Sequence, residues 1–293
     1  MPHIQEFCDY LTHQKRYSKH TVTAYQKDLE QFSLFLEKEF DVQSFQDVSS
    51  GFIRSWIVSL IEGDIAARSI NRKISSLKSF YKYLQKQQLV DHNPLTKVIS
   101  PKTSKRLPVF VTESEVGDLF EGITFEDDFE GVRDKLILSL FYYTGMRLSE
   151  LIELKTSAVN RAGMTMKVLG KRNKERIIPV SPKALKEIEH YLSFRSEVTS
   201  KSDRLFITAR GEKMYPKLVY RIVNHYLSMV TSNRKKSPHV LRHTFATHML
   251  NNGADLNSIK ELLGHANLSA TQVYTHNTIE KLKNIHKQAH PKA

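Results

Sequence analysis

Apolar residues recur at helical spacing through the first hundred residues of the chain. Positions three or four apart lie on one face of an amphipathic helix, so each run predicts a helix that buries one side. We therefore expect an all-α helical bundle over residues 1–98. The four apolar runs lie within Ile4–Leu11, Val22–Leu36, Phe52–Leu60 and Ile70–Leu84.

The side of the fourth predicted helix opposite its apolar residues is basic and rich in hydroxyl groups. Arg68 and Arg72 lie one turn apart there, beside Ser75, Ser76 and Ser79. Short polar side chains next to cations allow a helix to approach phosphate groups closely. An ordinary solvated face explains this helix alone equally well.

A polar segment separates this region from the rest of the chain. Residues 99–108 are basic and bracketed by prolines, which is typical of a linker. The cations Lys102, Lys105 and Arg106 suit a segment that crosses a nucleic-acid backbone. We expect the domain boundary here, with a second domain over residues 109–293.

One part of the second domain has the period of a β-strand. Met164–Val168 alternates apolar and polar residues, and Arg176–Pro179 resumes after a segment of turn residues. The pattern predicts a β-hairpin whose tip carries the cations Lys171, Arg172 and Lys174.

The other periodic runs of the second domain are helical, apart from Leu205–Ile207, which predicts one more short strand. The expected fold class is therefore mainly α with a small β-hairpin or sheet. We expect this α+β domain to follow an all-α N-terminal helical bundle.

Glycines end two of the predicted helices, and a basic residue stands just after each. Gly145 precedes Arg147 by two positions, and Gly264 is followed directly by His265. Glycine suits the left-handed backbone conformation that commonly ends a helix. Glu150, three residues after Arg147, is placed to hold its guanidinium by a charge-assisted hydrogen bond.

The helix before the second glycine stop is preceded by one with a basic face. His239 and Arg242 lie three residues apart, hence one turn apart on the same face. Leu241 and Phe245 predict the buried face, with Leu250 assisting.

The next helix spans Asp255–Leu263, and Leu256 is expected on its buried side. Gly264 would then hold His265 on a rigid turn. Asn267 can cap a third helix, which carries Tyr274 near its far end.

These residue types suit phosphoryl transfer through a tyrosine. Arginine matches phosphate oxygens, histidine moves protons near neutral pH, and a tyrosine hydroxyl can attack phosphorus to form a covalent intermediate. Each residue taken singly is also an ordinary structural side chain. A zinc site at His239, His243 and His248 is an alternative, but neither a cysteine nor a His-Glu-x-x-His pattern accompanies them. No metal is expected.

The composition of the chain favours a polyanionic binding partner and bears on the cellular compartment in which the protein works. The 293 residues include 44 Lys and Arg against 31 acidic residues, a formal charge of +13. The single cysteine, Cys8, excludes an intramolecular disulfide. No signal peptide and no apolar run near the ~20 residues of a membrane span is found, so we expect a cytoplasmic protein.

Three segments together resemble the C-terminal signature of the tyrosine recombinases, the phage-integrase family. They are His239–His248 (HVLRHTFATH), Leu263–His265 (LGH) and Tyr274–His276 (YTH). Within that family the chain is similar to the Xer-type cellular recombinases. Thr144–Leu151 (TGMRLSEL) resembles the family's first arginine motif, and the N-terminal helices resemble its core-binding domain.

The resemblance implies a site-specific DNA recombinase that cuts and rejoins strands through a 3′-phosphotyrosyl intermediate and leaves a 5′-hydroxyl. The bond energy stays in that ester, so no nucleotide cofactor is expected. The resemblance implies that Arg147 and Arg242 bind the phosphate, that Tyr274 is the nucleophile and that His239 accepts its proton. It also implies that Lys171 is the general acid, that His265 donates a hydrogen bond to the phosphate and that Glu150 supports Arg147. The basic residues implied to contact DNA are Arg68, Arg72, Lys102, Lys105, Arg106, Arg172 and Lys174.

The resemblance also implies the partners. The first partner is double-stranded DNA with a paired inverted-repeat site. The recombinase would assemble with further copies of itself as a tetramer on two such sites. A paralogous recombinase and a DNA translocase are possible additional partners. Resolution of chromosome dimers is the expected role. Integration or transposition of a mobile element, a type IB topoisomerase and a non-enzymatic DNA-binding regulator are the alternatives.

The C-terminal tail, residues 277–293, has a narrow apolar stripe at Ile279, Leu282 and Ile285. A helix with such a stripe can fold back onto its own domain. The resemblance favours the other possibility, docking into a neighbouring copy around a closed ring.

Overall fold

The computed structural model describes residues 3–103, 109–170, 175–264 and 276–292. The chain divides into two compact units, Met1–Arg106 and Leu107–Ala293. Both units are built mainly from α-helices, and the C-terminal unit adds a small antiparallel sheet. The predicted fold class, an all-α N-terminal bundle followed in the sequence by a mainly α unit with a small sheet, is therefore confirmed. The division falls inside residues 99–108, the segment predicted as a linker.

Within the described residues, four α-helices form the N-terminal unit, at the positions that the apolar pattern predicted. Ser18 begins the second helix, because its side-chain oxygen accepts a hydrogen bond from the backbone amide of Thr21 at 3.3 Å. The helices are α1 (Ile4–Asp9), which continues as a π-helical turn (Tyr10–Gln14), α2 (Lys19–Phe40), α3 (Ser50–Glu62) and α4 (Ala67–Lys86).

Aromatic rings fill the core between these helices. The ring of Phe32 lies 4.8 Å from that of Trp56, and the ring of Phe80 lies 4.8 Å from Phe45 and 5.2 Å from Phe7. All five side chains are buried. Burial of one such side chain stabilises a fold by roughly 1.5–3 kcal/mol, so packing holds the bundle together.

A buried carboxylate joins α2 to α4. Asp28 accepts hydrogen bonds from Lys73 Nζ at 3.0 Å and from Ser76 Oγ at 2.7 Å, and it forms an ion pair with Arg72. We call these four residues the Asp28 cluster. Ser76 is therefore buried, and its predicted place on the exposed basic face is wrong. A serine that satisfies a buried charge lies in the core although its type is polar.

The C-terminal unit places its helices around the small sheet and a central helix. Its helices are α5 (Glu113–Gly117), which continues as a π-helical turn (Asp118–Gly122), α6 (Phe129–Thr144), α7 (Leu148–Glu153), α8 (Pro182–Glu197), α9 (Pro216–Val230), α10 (Pro238–Asn251), α11 (Leu256–Leu263) and α12 (His276–Ala289). Its strands are β1 (Val159–Asn160), β2 (Thr165–Leu169) and β3 (Glu175–Pro179).

The sheet contains the predicted hairpin. Its strand order is β1-β2-β3 with antiparallel pairing, and Met166 of β2 lies opposite Ile178 of β3. Strand β1 was not predicted, because two residues are too few to show a period.

The short strand predicted at Leu205–Ile207 is wrong. Ile207 forms only an isolated bridge with Lys213, and Arg204 forms another with Lys155. The three predicted residues are buried. The apolar run therefore reflects a loop that passes through the core, which periodicity alone does not distinguish from a strand.

Helix α6 is the centre of the C-terminal core. Every residue from Leu136 to Thr144 is buried. A helix that is covered on all sides is a core helix rather than an amphipathic surface helix. It ends at Gly145, whose φ of 58° is left-handed as predicted. The chain therefore leaves α6 inside the domain, beside α10.

Two apolar residues near the C-terminus were assigned to the wrong side of their helices. Leu250 and Leu256 are 50% and 54% exposed. The buried side of α10 instead continues from Phe245 to Met249, one full turn later, and the buried residues of α11 begin at Ser258 and Ile259. Leu256 is the first residue of α11, before the face that contacts the core begins.

The C-terminal helix lies on its own domain in this single chain. Leu282 and Ala289 of α12 belong to the same apolar cluster as Phe245 and Leu263. In this single chain the tail is folded back onto its own domain. Docking into a neighbouring copy, which the resemblance favoured, stays a prediction. Across the described ranges, no helix combines the length and the apolar character needed to cross a membrane.

Candidate active site

The structure brings together three of the predicted site residues and places a fourth on an adjoining turn. Arg147, Glu150 and Arg242 form one cluster, and His239 lies one turn before Arg242 on α10. The predicted residues that lie outside the described ranges are Lys171, His265 and Tyr274.

Arg147 is held at the beginning of α7. Its backbone amide donates to Glu150 Oε2 at 2.7 Å, and its Nη1 donates to Glu150 Oε1 at 2.8 Å. Its Nη2 donates to the carbonyl oxygen of Gly264 at 3.1 Å. The side chain is still 34% exposed. A guanidinium fixed from one side and open on the other is oriented before any ligand arrives.

Arg242 is fixed by backbone carbonyl groups at the ends of two other helices. Its Nη1 donates to the carbonyl of Gly145 at 2.5 Å, and its Nη2 donates to that of Leu263 at 2.8 Å. The side chain is only 7% exposed. The two glycine-terminated helix ends, after α6 and α11, therefore meet at this guanidinium.

A third arginine completes the cluster, and the sequence analysis did not identify it. Arg176 of β3 is buried and donates from Nη2 to Glu150 Oε2 at 2.8 Å and from Nε to the carbonyl of Leu262 at 3.2 Å. Its Nη1 also contacts Glu150 Oε1. A signal was present, because Arg176 stands two residues before buried Ile178 and so shares its face of the strand. We call Arg147, Glu150, Arg176 and Arg242 the arginine centre.

One carboxylate lies among three guanidinium groups. Burial alone would raise the pKa of Glu150, but hydrogen bonds and charge from Arg176, and then from Arg147, lower that pKa to about 2. Burial and the neighbouring charges of Arg147 and Arg176 lower the pKa of Arg242 to about 9. Glu150 is thus ionised and Arg242 protonated at neutral pH. The net charge of the cluster is +2, which is suited to a phosphodiester.

The two glycines beside the centre are required by space as well as by backbone angle. A Cβ on Gly145 would lie 2.5 Å from Cδ1 of Phe245, and one on Gly264 would lie 2.8 Å from Cδ of Arg176. Both glycines have a left-handed φ, 58° and 64°. A larger residue at either position would displace an arginine of the centre or the helix that holds it.

The histidines of α10 differ in their surroundings. His239 is exposed in the first turn, whereas His243 is partly buried and has its pKa lowered by desolvation and by His239. His248 is buried, and its Nδ1 lies 3.1 Å from the hydroxyl of Tyr142. Among the described residues, no group of three or more His, Cys, Asp or Glu is arranged to hold a metal ion. Of these three histidines of α10, His239 is the exposed one, one turn before Arg242.

Three of the residues expected to contact DNA are described. Arg68 and Lys102 are exposed, and Arg72 is 47% exposed although it pairs with Asp28. The other predicted contacts lie outside the described ranges; they are Lys105, Arg106, Arg172 and Lys174.

Two arginines fixed at adjoining helix ends form a positively charged site that suits a phosphate group. Comparison with protein families agrees. Residues 110–281 match the phage integrase family, and residues 4–88 match the N-terminal SAM-like domain of phage integrases. The chain belongs to the phage integrase family, and it is a tyrosine-type site-specific recombinase.

Its similarity within the family is to the Xer type. The chain is 38% identical over 317 residues to tyrosine recombinase XerC of Chlorobaculum parvum, covering 99% of this chain and 94% of that protein. It is 40% identical over 283 residues to tyrosine recombinase XerC of Staphylococcus saprophyticus, covering 96% and 94%. The fold is shared with a solved structure of XerH site-specific recombinase bound to palindromic difH substrate in a post-cleavage complex. The TM-score is 0.71 at 20% sequence identity, and the match covers 99% of this chain and 81% of that one.

Proposed function

We propose that this recombinase attacks a DNA phosphodiester with Tyr274 and uses the arginine centre to hold the reacting phosphate. The observation that carries the proposal is the fixed placement of Arg147 and Arg242 by Glu150 and by three backbone carbonyl groups. Positive groups that are oriented in advance stabilise the charge of a transition state without reorganisation at the moment of reaction.

The arginines would contact the two non-bridging oxygens of the scissile phosphate. Arg147 presents its exposed side to solvent, and Arg242 is buried behind it, so the two can bind from different directions. Arg176 supports both indirectly, because it neutralises Glu150 and keeps that carboxylate in place. The arginine centre has a net charge of +2. The two negative charges of the phosphorane that forms during the reaction would balance it.

The covalent step assigns one role to each remaining residue. The hydroxyl oxygen of Tyr274 forms a bond to phosphorus, and its proton passes to His239. The bond from phosphorus to the 5′ oxygen breaks, and Lys171 donates the proton that this oxygen takes. His265 donates a hydrogen bond to a phosphate oxygen. The 3′-phosphotyrosyl ester keeps the bond energy, so the reverse step rejoins a strand without a nucleotide cofactor.

Binding to DNA would involve both units. The proposed contacts are the α4 cations Arg68 and Arg72, the segment residues Lys102, Lys105 and Arg106, and the hairpin residues Arg172 and Lys174. Such contacts to the backbone position a protein on duplex DNA and give affinity without sequence information. We propose 1–98 as the DNA-binding unit, 99–108 as the linker and 109–293 as the catalytic unit.

The biological role we propose is resolution of chromosome dimers in the cytoplasm, which serves chromosome partition at cell division. Its support is similarity over 94% or more of two relatives named tyrosine recombinase XerC. The active form would be a tetramer on two inverted-repeat sites, with a paralogue or a DNA translocase as further partners. A neighbour described as XerH bound to a difH substrate supports a paired DNA site.

The proposal is tested by trapping the covalent intermediate. Purified protein is incubated with sheared DNA from its own source and denatured with SDS, and the DNA that remains attached to protein is sequenced. We expect one enriched sequence with an inverted repeat, a free 5′-hydroxyl and no loss of adduct in EDTA. The control is Tyr274→Phe, which should bind DNA normally and give no adduct. An adduct from Tyr274→Phe, or one that needs Mg²⁺, would overturn the mechanism.

A second experiment separates recombination from topoisomerase activity. Two copies of the trapped site are placed in one plasmid, and exchange between the sites is compared with relaxation of a supercoiled plasmid that lacks them. A recombinase exchanges strands between sites and needs the site for cleavage. Relaxation of the plasmid without the site, at the same rate, would favour a type IB topoisomerase.

A further inference from the structure

The last turn of α6 leaves two buried carbonyl groups without the backbone partners that a longer helix would supply. These are the carbonyls of Tyr142 and Tyr143. The amide of Met146 bonds to Thr144 Oγ1 at 3.3 Å, and the amide of Arg147 bonds to Glu150 Oε2 at 2.7 Å. The chain turns away at Gly145, so neither amide can continue the helix. A buried carbonyl without a donor destabilises a fold, so other groups must bond to these two.

Two histidines of the C-terminal helix supply the missing donors. Nε2 of His286 lies 2.7 Å from the carbonyl oxygen of Tyr143, and Nε2 of His290 lies 3.0 Å from that of Tyr142. A carbonyl oxygen can only accept, so both imidazoles must carry hydrogen on Nε2. Their rings stack with centroids 5.0 Å apart and an interplanar angle of 13°. Both side chains are buried, so this is a built contact between α12 and α6.

The same turn of α6 leads directly into the arginine centre. Gly145 follows it, and the Gly145 carbonyl accepts the bond from Arg242 Nη1 at 2.5 Å. Arg147 comes two residues later and bonds to Glu150. Any shift of this turn therefore moves the acceptor of one catalytic arginine and the backbone of the other. Displacements of about 1 Å at such a site can lower a rate by roughly a hundredfold.

We propose that His286 and His290 are positioning residues for the recombination reaction, and that they act by donating hydrogen bonds to the end of α6. Through them, the docking of the C-terminal helix determines whether Arg147 and Arg242 are in place. The inference rests on the proposed function of those arginines. It assigns to the tail a task beyond covering apolar surface. Neither histidine touches the reacting phosphate; each acts through the α6 turn.

Matched single variants test this inference. His286→Gln and His290→Gln keep an amide N–H where the imidazole Nε2–H stands, whereas His286→Leu and His290→Leu keep apolar bulk and lose the donor. Leu282→Ala is the control, because Leu282 packs in the apolar cluster of α12 but makes no hydrogen bond to α6. It weakens docking of the helix without removing a donor.

Two readouts are compared in all five variants. The first is the rate of covalent adduct formation on the trapped DNA site, with DNA affinity measured separately. The second is hydrogen exchange at the Gly145 amide, which bonds to the Phe141 carbonyl at 3.0 Å in the same turn. We expect each Leu variant to form adduct about tenfold more slowly and to exchange the Gly145 amide about tenfold faster, with DNA affinity unchanged. The Gln variants should stay within about threefold of the wild type in both, and Leu282→Ala should fall between.

The outcomes separate this inference from the proposed function. Leu variants that cleave and exchange like the wild type would overturn the positioning role, and so would Gln variants as slow as the Leu variants. Leu282→Ala and the two His→Leu variants are also compared at equal loss of thermal stability. If Leu282→Ala then forms adduct as slowly as the His→Leu variants, docking of the helix matters and the two hydrogen bonds do not. If the wild type forms no adduct at all, the proposed function fails, and exchange at Gly145 alone decides whether the histidines hold the α6 turn.

Discussion

Each unit of the molecule contains a buried carboxylate that holds two basic side chains. Among the described residues, Glu150 and Asp28 are the acids with almost no exposed surface, 1% each. Glu150 binds Arg147 and Arg176, and the Asp28 cluster binds Arg72 and Lys73. Removing one partner of such a buried pair leaves a charge without compensation, which destabilises a fold strongly.

The two clusters differ in what else holds their cations. In the arginine centre, Arg147 also bonds to the carbonyl of Gly264, and a further guanidinium, Arg242, is fixed by two carbonyls. Arg72 has Asp28 as its ion-pair partner and is 47% exposed on α4. Catalysis at a single phosphorus atom requires guanidinium groups that are held in one orientation. Attraction to a DNA backbone requires only that positive charge lies at the surface. We therefore propose that a buried carboxylate serves to orient arginines in the C-terminal unit and to keep cations at the DNA-facing surface in the N-terminal unit.

The largest effect that separates the clusters is expected from Glu150→Gln. The change leaves Arg176 buried without a counter-charge, so unfolding free energy should fall by roughly 3–5 kcal/mol, and adduct formation should be lost. Chemical denaturation measures the first and the trapping assay the second. Glu189→Gln is the control, because its surface pair with Arg161 at 3.5 Å should contribute less than about 1 kcal/mol. Equal effects of the two changes would contradict the structural role of Glu150.

A second comparison exchanges arginine for lysine in each cluster. Lysine keeps the charge but loses the planar fork that bonds to Glu150 and Gly264 together. Arg147→Lys should therefore slow adduct formation by about a hundredfold, ~2.7 kcal/mol, with DNA affinity nearly unchanged. Arg72→Lys should change DNA affinity by less than about threefold. A large loss of affinity without loss of rate in Arg147→Lys would reverse the assigned roles.

Acid should weaken the C-terminal unit through a group outside the arginine centre. Desolvation lowers the pKa of His290 to about 3 from an ordinary value of 6.5. The folded state therefore favours the neutral ring, and its contribution is complete above pH 6.5 and lost as pH falls toward 3. Through His290, unfolding free energy should fall by roughly 2 kcal/mol between pH 7 and pH 5.

The matched variant for this pH effect is His290→Gln, which does not titrate. Its unfolding free energy should fall by roughly 2 kcal/mol less than that of the wild type over the same pH range, measured by denaturation of the full chain. The remaining fall comes from other histidines whose pKa desolvation lowers, such as His286. Glu150, with a pKa of about 2, should remain ionised throughout. An equal pH response in the variant and the wild type would assign the acid sensitivity to another group.

The smallest effect is expected at the Asp28 cluster. Asp28→Asn keeps the shape but removes the charge that Arg72 and Lys73 share. Arg72, which is 47% exposed, can turn toward solvent, and Lys73 keeps its hydrogen bond with Gln31. We expect a loss of roughly 1–2 kcal/mol in unfolding free energy and an unchanged rate of adduct formation once DNA is bound. A loss of stability equal to that of Glu150→Gln would show that the exposure of Arg72 does not matter.

Local signals in the sequence were sufficient for much of the site. The glycine stop at 145 predicted Arg147 just past a helix end, and the spacing of Arg147 from Glu150 predicted their hydrogen bond, because each feature depends on neighbours in the chain. Arg176 and His286 were missed for a physical reason. Their partners, Glu150 and the Tyr143 carbonyl, are 26 and 143 residues away in sequence, and periodicity carries no information on such contacts.

The central claim is that Arg147 acts by neutralising charge on a phosphate oxygen. The most direct measurement replaces the scissile phosphate of the trapped site by a methylphosphonate, in which one non-bridging oxygen and its charge are absent. Arg147→Ala should cleave ordinary DNA about a thousandfold more slowly than the wild type, and it should come within about tenfold of the wild type on the methylphosphonate. A variant that is equally impaired on both substrates, while the wild type cleaves both, would contradict the claim.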